Sequence, residues 1–192
     1  MQELGHISEF YEVGHRKTII SNNSNDPGGK SYGHYQLASK NGMVAAYVAQ
    51  SRFKDQFAGT TVPNRDNQDT PSFDAVWRRI SRDYSEDFRL EQKAFLIKEN
   101  YGPVRRYANK LFLPFSAAMN ELLFSMAIQH GPGNTKRILK QCRLTHKDEQ
   151  RQIKTIYEAR RKFAIEALPS NLHLSMINRY INEEKDILRL IK

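Results

Sequence analysis

The 192-residue chain has a single cysteine, Cys142, so an intrachain disulfide cannot form and a cysteine-rich metal site is excluded. Within LKQCRL that cysteine reads as a helix-packing residue and not as a nucleophile. No apolar run approaches the roughly 20 residues that a membrane span needs. The opening MQELGHISEFYEVGH has no basic start leading into an apolar stretch, so no secretory leader is expected and any work outside the cytoplasm needs another route. His6, His15, His34, His130, His146 and His173 show no HExxH or similar spacing, which leaves no expected metal site or cofactor. Internal repeats and low-complexity segments are also missing.

What is present is an ordinary globular composition, 39% hydrophobic and 27% charged, of a length that suits one compact domain over residues 1–192. Lys and Arg outnumber Asp and Glu by 30 to 21, a net charge of +9. Such a surplus attracts polyanions, among which nucleic acid, anionic lipid and the carboxylate-bearing bacterial wall all qualify.

Local patterning predicts a mostly helical α+β chain with a small β-element near its N-terminus. Leu4, Ile7, Phe10 and Tyr11 have helical spacing over residues 4–12. Thr18 to Ser21 is β-prone, the turn-rich NNSNDPGG follows, and SYGHYQLA alternates as a second short strand does. A hairpin between residues 17 and 37 is therefore expected. A helix resumes over 43–50, and residues 51–72 read as a surface loop. Helical patterns then cover 73–84, 86–99, 103–111, 115–130, 134–144, 147–167 and 171–190, with breaks at Gly102–Pro103, Pro114, Gly131–Pro132–Gly133 and Pro169.

Three clusters have chemical potential. Glu12 ends the first helix with Phe10, Tyr11 and Val13 beside it, and apolar neighbours favour the protonated acid. Asp26, fourteen residues later, sits among Asn, Ser and Gly, a setting suited to an ionised partner. Two carboxyls across a cleft are what glycoside hydrolysis uses: one protonates the leaving oxygen, the other activates water or attacks the sugar. A solvated helix-end charge and a turn-capping Asp are the ordinary alternatives. In DPGGKSYGHYQ, residues 26–36, the glycines permit close approach, while Ser31, Tyr32, Tyr35 and Gln36 offer the hydroxyls, rings and amide of a sugar groove. The GGKS within it is not a phosphate loop, because Ser24 stands where that motif needs its first glycine. Gln129 and His130 end an apolar helix, and His130 suits a capping role and a cleft-lining role equally.

The stretch FYEVGHRKTIISNNSNDPGGKSYGHYQLASKNG resembles the opening motif of the chitosanase-like branch of the lysozyme superfamily. There a helix-end Glu precedes a β-segment with the pattern Asp-x-Gly-Gly-x-Ser-Tyr-Gly-x-Tyr-Gln. The branch includes muramidase domains attached to type VI secretion spike proteins, and related phage lysins. The similarity continues through FDAVWRRI, FLIKENYGPV, ELLFSMAIQHGPG and RYINEE, in order along nearly the whole chain. It implies a lysozyme-like fold, an inverting peptidoglycan hydrolase, Glu12 as general acid and Asp26 as second carboxylate. It further implies a glycan cleft lined by Ser31, Tyr32, Gln36, Gln129 and His130, with Trp77 and Tyr101 in the core. Action at the cell wall after secretion-system or phage-type export follows from it, as does a cleft-plugging immunity protein for an effector. Chitosan or chitin is the alternative substrate, and a lytic transglycosylase would need no essential second carboxylate. From a different class, the helices at 134–144 and 147–167, with Lys136, Arg137, Lys140, Arg160, Arg161 and Lys162, offer a basic face for nucleic acid, although no recognised nucleic-acid motif accompanies it.

Overall fold

The computed structural model describes residues 4–13, 20–22, 28–142, 144 and 147–191, without the side chains of Glu12 and Val13. The chain groups into two compact units, one of residues 15–95 and one of residues 1–14 with 96–192.

In the first unit, three two-residue strands, β1 (Ile20–Ser21), β2 (Ser31–Tyr32) and β3 (Leu37–Ala38), pair antiparallel in chain order. Ile20 faces Tyr32, and Tyr32 faces Leu37, in this small sheet. Helices α2 (Met43–Gln50), α3 (Pro71–Asp83) and α4 (Ser85–Leu96) follow. Phe73, Trp77 and Ile80 lie at helical spacing on one stripe of α3 and are fully buried. They meet an unusually aromatic core: Tyr32 lies 5.2 Å from Trp77, Phe88 4.9 Å from Trp77, and Phe57 stacks on Phe73 at 4.8 Å. Residues 51–72, expected as a surface loop, contain a 3-10 turn (Lys54–Phe57) and place Phe53 and Phe57 in that core. Two large rings in this otherwise polar stretch gain more from burial than the loop loses by ordering.

In the second unit, α1 (His6–Val13) packs against α6 (Ala117–Gln141) and α8 (Ser170–Leu188), and α5 (Gly102–Lys110) and α7 (Glu149–Ala167) complete the helical core around α6. A π-turn (Ile97–Tyr101) leads directly into α5, where the pattern suggested a helix to residue 99 and a break at Gly102–Pro103. Leu122, Leu123, Phe124, Met126 and Ala127 are all fully buried, so the first half of α6 is enclosed on every side as the centre of the unit. Gly131, with φ 70° and ψ 166°, interrupts α6 at the expected Gly-Pro-Gly break. Thr135 spans that break, its Oγ1 donating to the carbonyls of Met126 and Gly131 at 2.9 and 2.8 Å. Trp77 and Tyr101 are both buried. Among the described residues no helix is long and apolar enough to cross a membrane.

Candidate active site

Glu12 belongs to the last turn of α1, and both ends of that helix are fixed by distant side chains. The Glu121 carboxylate, buried in α6, accepts from the Gly5 N–H at 2.5 Å and the Ile7 N–H at 3.3 Å. Its Oε1 also lies 3.3 Å from His6 Nδ1. It thereby fills the role of an N-cap, satisfying orphan amides and placing negative charge at the positive end of the helix. Burial pushes the Glu121 pKa up, against the opposing pull of the Gly5 N–H and the His6 ring. Gly5 has φ 91°, and a Cβ there would lie 2.6 Å from the Phe124 ring, so only glycine lets the chain enter α1 this closely. Toward the other end, the Tyr11 hydroxyl donates to Asp186 Oδ2 of α8 at 2.7 Å. Burial, then the Asp186 carboxylate, raises the Tyr11 pKa, so the phenol stays a donor. The Glu12 side chain itself lies outside the described residues.

Asp26 also lies outside them, but the platform that follows it is well defined. Lys30 O accepts from Ser39 N at 2.9 Å and Gly28 O from Lys40 N at 3.0 Å, which closes residues 28–40 into a tight β-turn unit. Beneath it runs a buried polar chain. Lys30 Nζ pairs with Asp74 Oδ2 of α3 at 2.8 Å, and the Tyr32 hydroxyl donates to Asp74 Oδ1 at 2.6 Å. From the 51–72 loop, Gln68 Oε1 accepts from Lys30 N and Ser39 Oγ, each at 2.7 Å. A Cβ on Gly29 would lie 2.4 Å from that same oxygen, which is why glycine precedes Lys30. A buried ion pair of this kind fixes geometry more than it adds stability.

Of the residues expected to line a glycan cleft, Ser31 sits in β2 opposite Ala38 and is buried. Gln36 adopts φ 51°, and its amide folds back, Nε2 donating to Gly33 O at 2.8 Å while Oε1 accepts from Ser21 Oγ at 2.6 Å. Tyr32 needs correction: it is 0% exposed, in ring contact with Phe73 and Trp77, with its hydroxyl given to Asp74, so it supports the platform and offers no sugar contact.

Gln129 and His130 are half-buried, and the Gln129 amide and His130 Nε2 meet side chains of α7 and α8. Gln129 Oε1 accepts from Arg160 Nη2 at 2.6 Å and from the Tyr180 hydroxyl at 2.9 Å, and its Nε2 lies 3.0 Å from Met176 Sδ. His130 Nε2 is 3.3 Å from Arg160 Nε and from the Tyr180 hydroxyl. Burial and the Arg160 and Arg179 charges push the His130 pKa down to about 3, so the ring is neutral at pH 7. Arg160 itself is 0% exposed, paired with Glu183 at 2.8 Å and stacked 4.3 Å from the Tyr180 ring. Although burial alone would raise it, the two arginines hold the Glu183 pKa below its ordinary value. This removes Arg160 from the expected basic face, where Arg161 is also committed, to Glu184 at 2.6 Å.

Asp74, Glu121, Arg160 and Glu183 were not singled out as structural polar residues by type, yet their spacing carries the signal. Arg160 falls on the Ile153–Ile156–Tyr157–Ala164 stripe of α7, Glu183 between Tyr180 and Ile187 on α8, and Asp74 beside Phe73 on α3. A charge on an apolar stripe is buried, and buried charges are paired. Cys142 is half-buried at the end of α6, where Sγ donates to Ile138 O and burial pushes the thiol up to about 11, as suits a packing residue. Among the described residues no three His, Cys, Asp or Glu side chains gather as a metal site would require.

Comparison with known proteins matches residues 4–184 to the family described as type VI secretion system spike protein VgrG3-like, C-terminal. The chain is also similar to the type VI secretion system spike protein VgrG3 of Vibrio cholerae serotype O1, with 37% identity over 140 residues. That match covers 70% of this chain and 13% of the relative, so the chain corresponds to a small part of the larger protein.

Proposed function

The chain belongs to the family of type VI secretion system spike protein VgrG3-like C-terminal domains, and from that membership we propose that it is a muramidase acting on the bacterial cell wall. The bond it cuts is the β-1,4 linkage between N-acetylmuramic acid and N-acetylglucosamine. Glu12 donates a proton to the glycosidic oxygen as the bond from that oxygen to the muramic C1 breaks. A water attacks C1 from the opposite face, and Asp26 takes the proton that this water loses, with inversion at C1. The observation that carries the reading is the family match across residues 4–184, which spans both carboxylates. The fixing of α1 by Glu121 and Asp186 supports it, since an acid catalyst gains from a held position. So does the closed 28–40 platform that begins two residues after Asp26.

A protein of this kind reaches the wall through a secretion apparatus, as a spike-borne antibacterial effector, and its producer needs an immunity protein against it. The net charge of +9 favours approach to the anionic wall. Binding of nucleic acid is not favoured, because Arg160 and Arg161 of the basic helices are spent on Glu183 and Glu184. Glu12→Gln is expected to lose sacculus digestion by about a thousandfold or more, with an unchanged circular dichroism melt, as removal of a general acid requires. For Asp26→Asn a loss of about a hundredfold or more is expected. Full activity of the Glu12 variant contradicts the assignment, and parallel digestion of chitosan separates the wall from that related glycan.

A further inference from the structure

A second surface lies away from both carboxylates in sequence, at the turn that joins α5 to α6. Residues 111–115 read Leu-Phe-Leu-Pro-Phe, and two of the rings point outward: Phe112 is 91% and Phe115 76% exposed. Phe112 stands at φ 56°, the left-handed position closing α5, where glycine is the favoured residue and a bulky side chain is strained. The turn is held by Phe112 N donating to Asn109 O at 3.0 Å and Leu113 N to Ala108 O at 3.2 Å. Folding therefore gains nothing from the Phe112 ring and is penalised for its backbone, a combination that marks display.

The display is also rigid. Arg105, buried, donates from Nη1 to Pro114 O at 3.1 Å, from Nη2 to Leu113 O at 3.0 Å and from Nε to Asn109 Oδ1 at 2.9 Å. Its guanidinium lies 4.9 Å from the centre of the Phe115 ring, which ties the second aromatic to the same anchor. Along this stretch of chain the charges have one sign, while from α7 the Glu149 carboxylate accepts from Ser116 Oγ next to Phe115. From residue 100 to residue 120 the chain holds Arg105, Arg106 and Lys110 and no Asp or Glu, and Arg106 and Lys110 are exposed.

We propose that this turn is a contact surface for an anionic lipid bilayer, with Phe112 and Phe115 entering the headgroup boundary and Arg106 and Lys110 meeting lipid phosphates. Outward-pointing rings bordered by cations fit a soft, negatively charged, apolar-centred surface, which takes up aromatic side chains at its boundary and attracts Lys and Arg at its face. Vesicle binding stands independently of the muramidase reading; its effect, holding a wall-directed protein beside the membrane that underlies the wall, rests on that reading.

Co-sedimentation with phosphatidylglycerol vesicles, neutral phosphatidylcholine vesicles and lipid-free sacculi tests this. Wild-type protein is expected to partition onto phosphatidylglycerol about tenfold or more better than onto phosphatidylcholine, and Phe112→Ser with Phe115→Ser to lose about tenfold of that binding. Phe112→Gly is expected to bind vesicles more weakly while melting at the same or a higher temperature, because glycine fits the left-handed turn. A lower melting temperature for Phe112→Gly would make the ring a packing residue and overturn the proposal. So would absence of vesicle binding, or undiminished binding by the double variant. Ring-dependent binding to sacculi alone would assign the turn to the wall instead. A dimer of the wild type that the double variant dissolves would assign it to a second copy.

Discussion

His130 shows how far a single side chain here departs from its behaviour in water. Its ring packs 5.4 Å from Phe163, and burial with the Arg160 and Arg179 charges lowers its pKa from 6.5 to about 3. In the unfolded chain the same ring takes a proton below pH 6.5. Between about pH 6.5 and 3 the unfolded state therefore binds more protons, and native stability falls as the pH falls through that window. The contribution is a few kcal/mol at most, on the order of 1.4 kcal/mol per pH unit. Urea titrations at pH 7.5 and about pH 4.5 check it: His130→Gln, which cannot be protonated there, is expected to lose less stability on acidification than the wild type. Equal losses would place the acid sensitivity elsewhere. Sequence alone left this histidine balanced between a helix-end cap and a cleft wall. Its real partners, on α7 and α8, are 30 and 50 residues away, a distance no local pattern reports.

At the scale of elements, helix α1 depends on a cap supplied from α6. Glu121→Ala would leave the Gly5 and Ile7 amides without their buried acceptor, at about 1–3 kcal/mol for each such group. The start of α1 would loosen, and Glu12 with it. If Glu12 is the acid proposed above, a displacement of about 1 Å is enough to lower turnover roughly a hundredfold. We expect Glu121→Ala to show that loss on sacculi together with a lower melting temperature, and Glu121→Gln, which keeps one acceptor oxygen, to fall between it and the wild type. Unchanged hydrolysis by the alanine variant would mean that α1 is positioned by other contacts.

The helices themselves were legible from apolar periodicity and from Gly and Pro punctuation: the expected break at Gly131 coincides with the non-helical backbone there, and α2 runs over the predicted residues 43–50. The 51–72 segment was not legible in the same way. Its Gly, Asn and Pro content describes the chain path, whereas the burial of Phe53 and Phe57 depends on the α3 and α4 rings they meet. The residues around the candidate site divide along the same line. Tyr32 belongs to a motif that invites a sugar-facing reading, yet the aromatic core claims its ring and Asp74 its hydroxyl. Exposure of a motif residue is decided by tertiary packing, and alternation along two-residue strands is too short to fix which face is solvent.

The whole molecule combines a surplus of positive charge, an aromatic unit bearing the 28–40 platform, and a helical unit that holds α1. What unites them is the proposed hydrolysis of the glycan strand by Glu12 and Asp26. Mass spectrometry of the fragments released from purified sacculi in ¹⁸O-labelled water tests that most directly. Disaccharide products ending in a reducing N-acetylmuramic acid, labelled at C1 by one solvent oxygen, are the expected result. Reducing N-acetylglucosamine ends, unlabelled 1,6-anhydro ends, or no released glycan at all would contradict it.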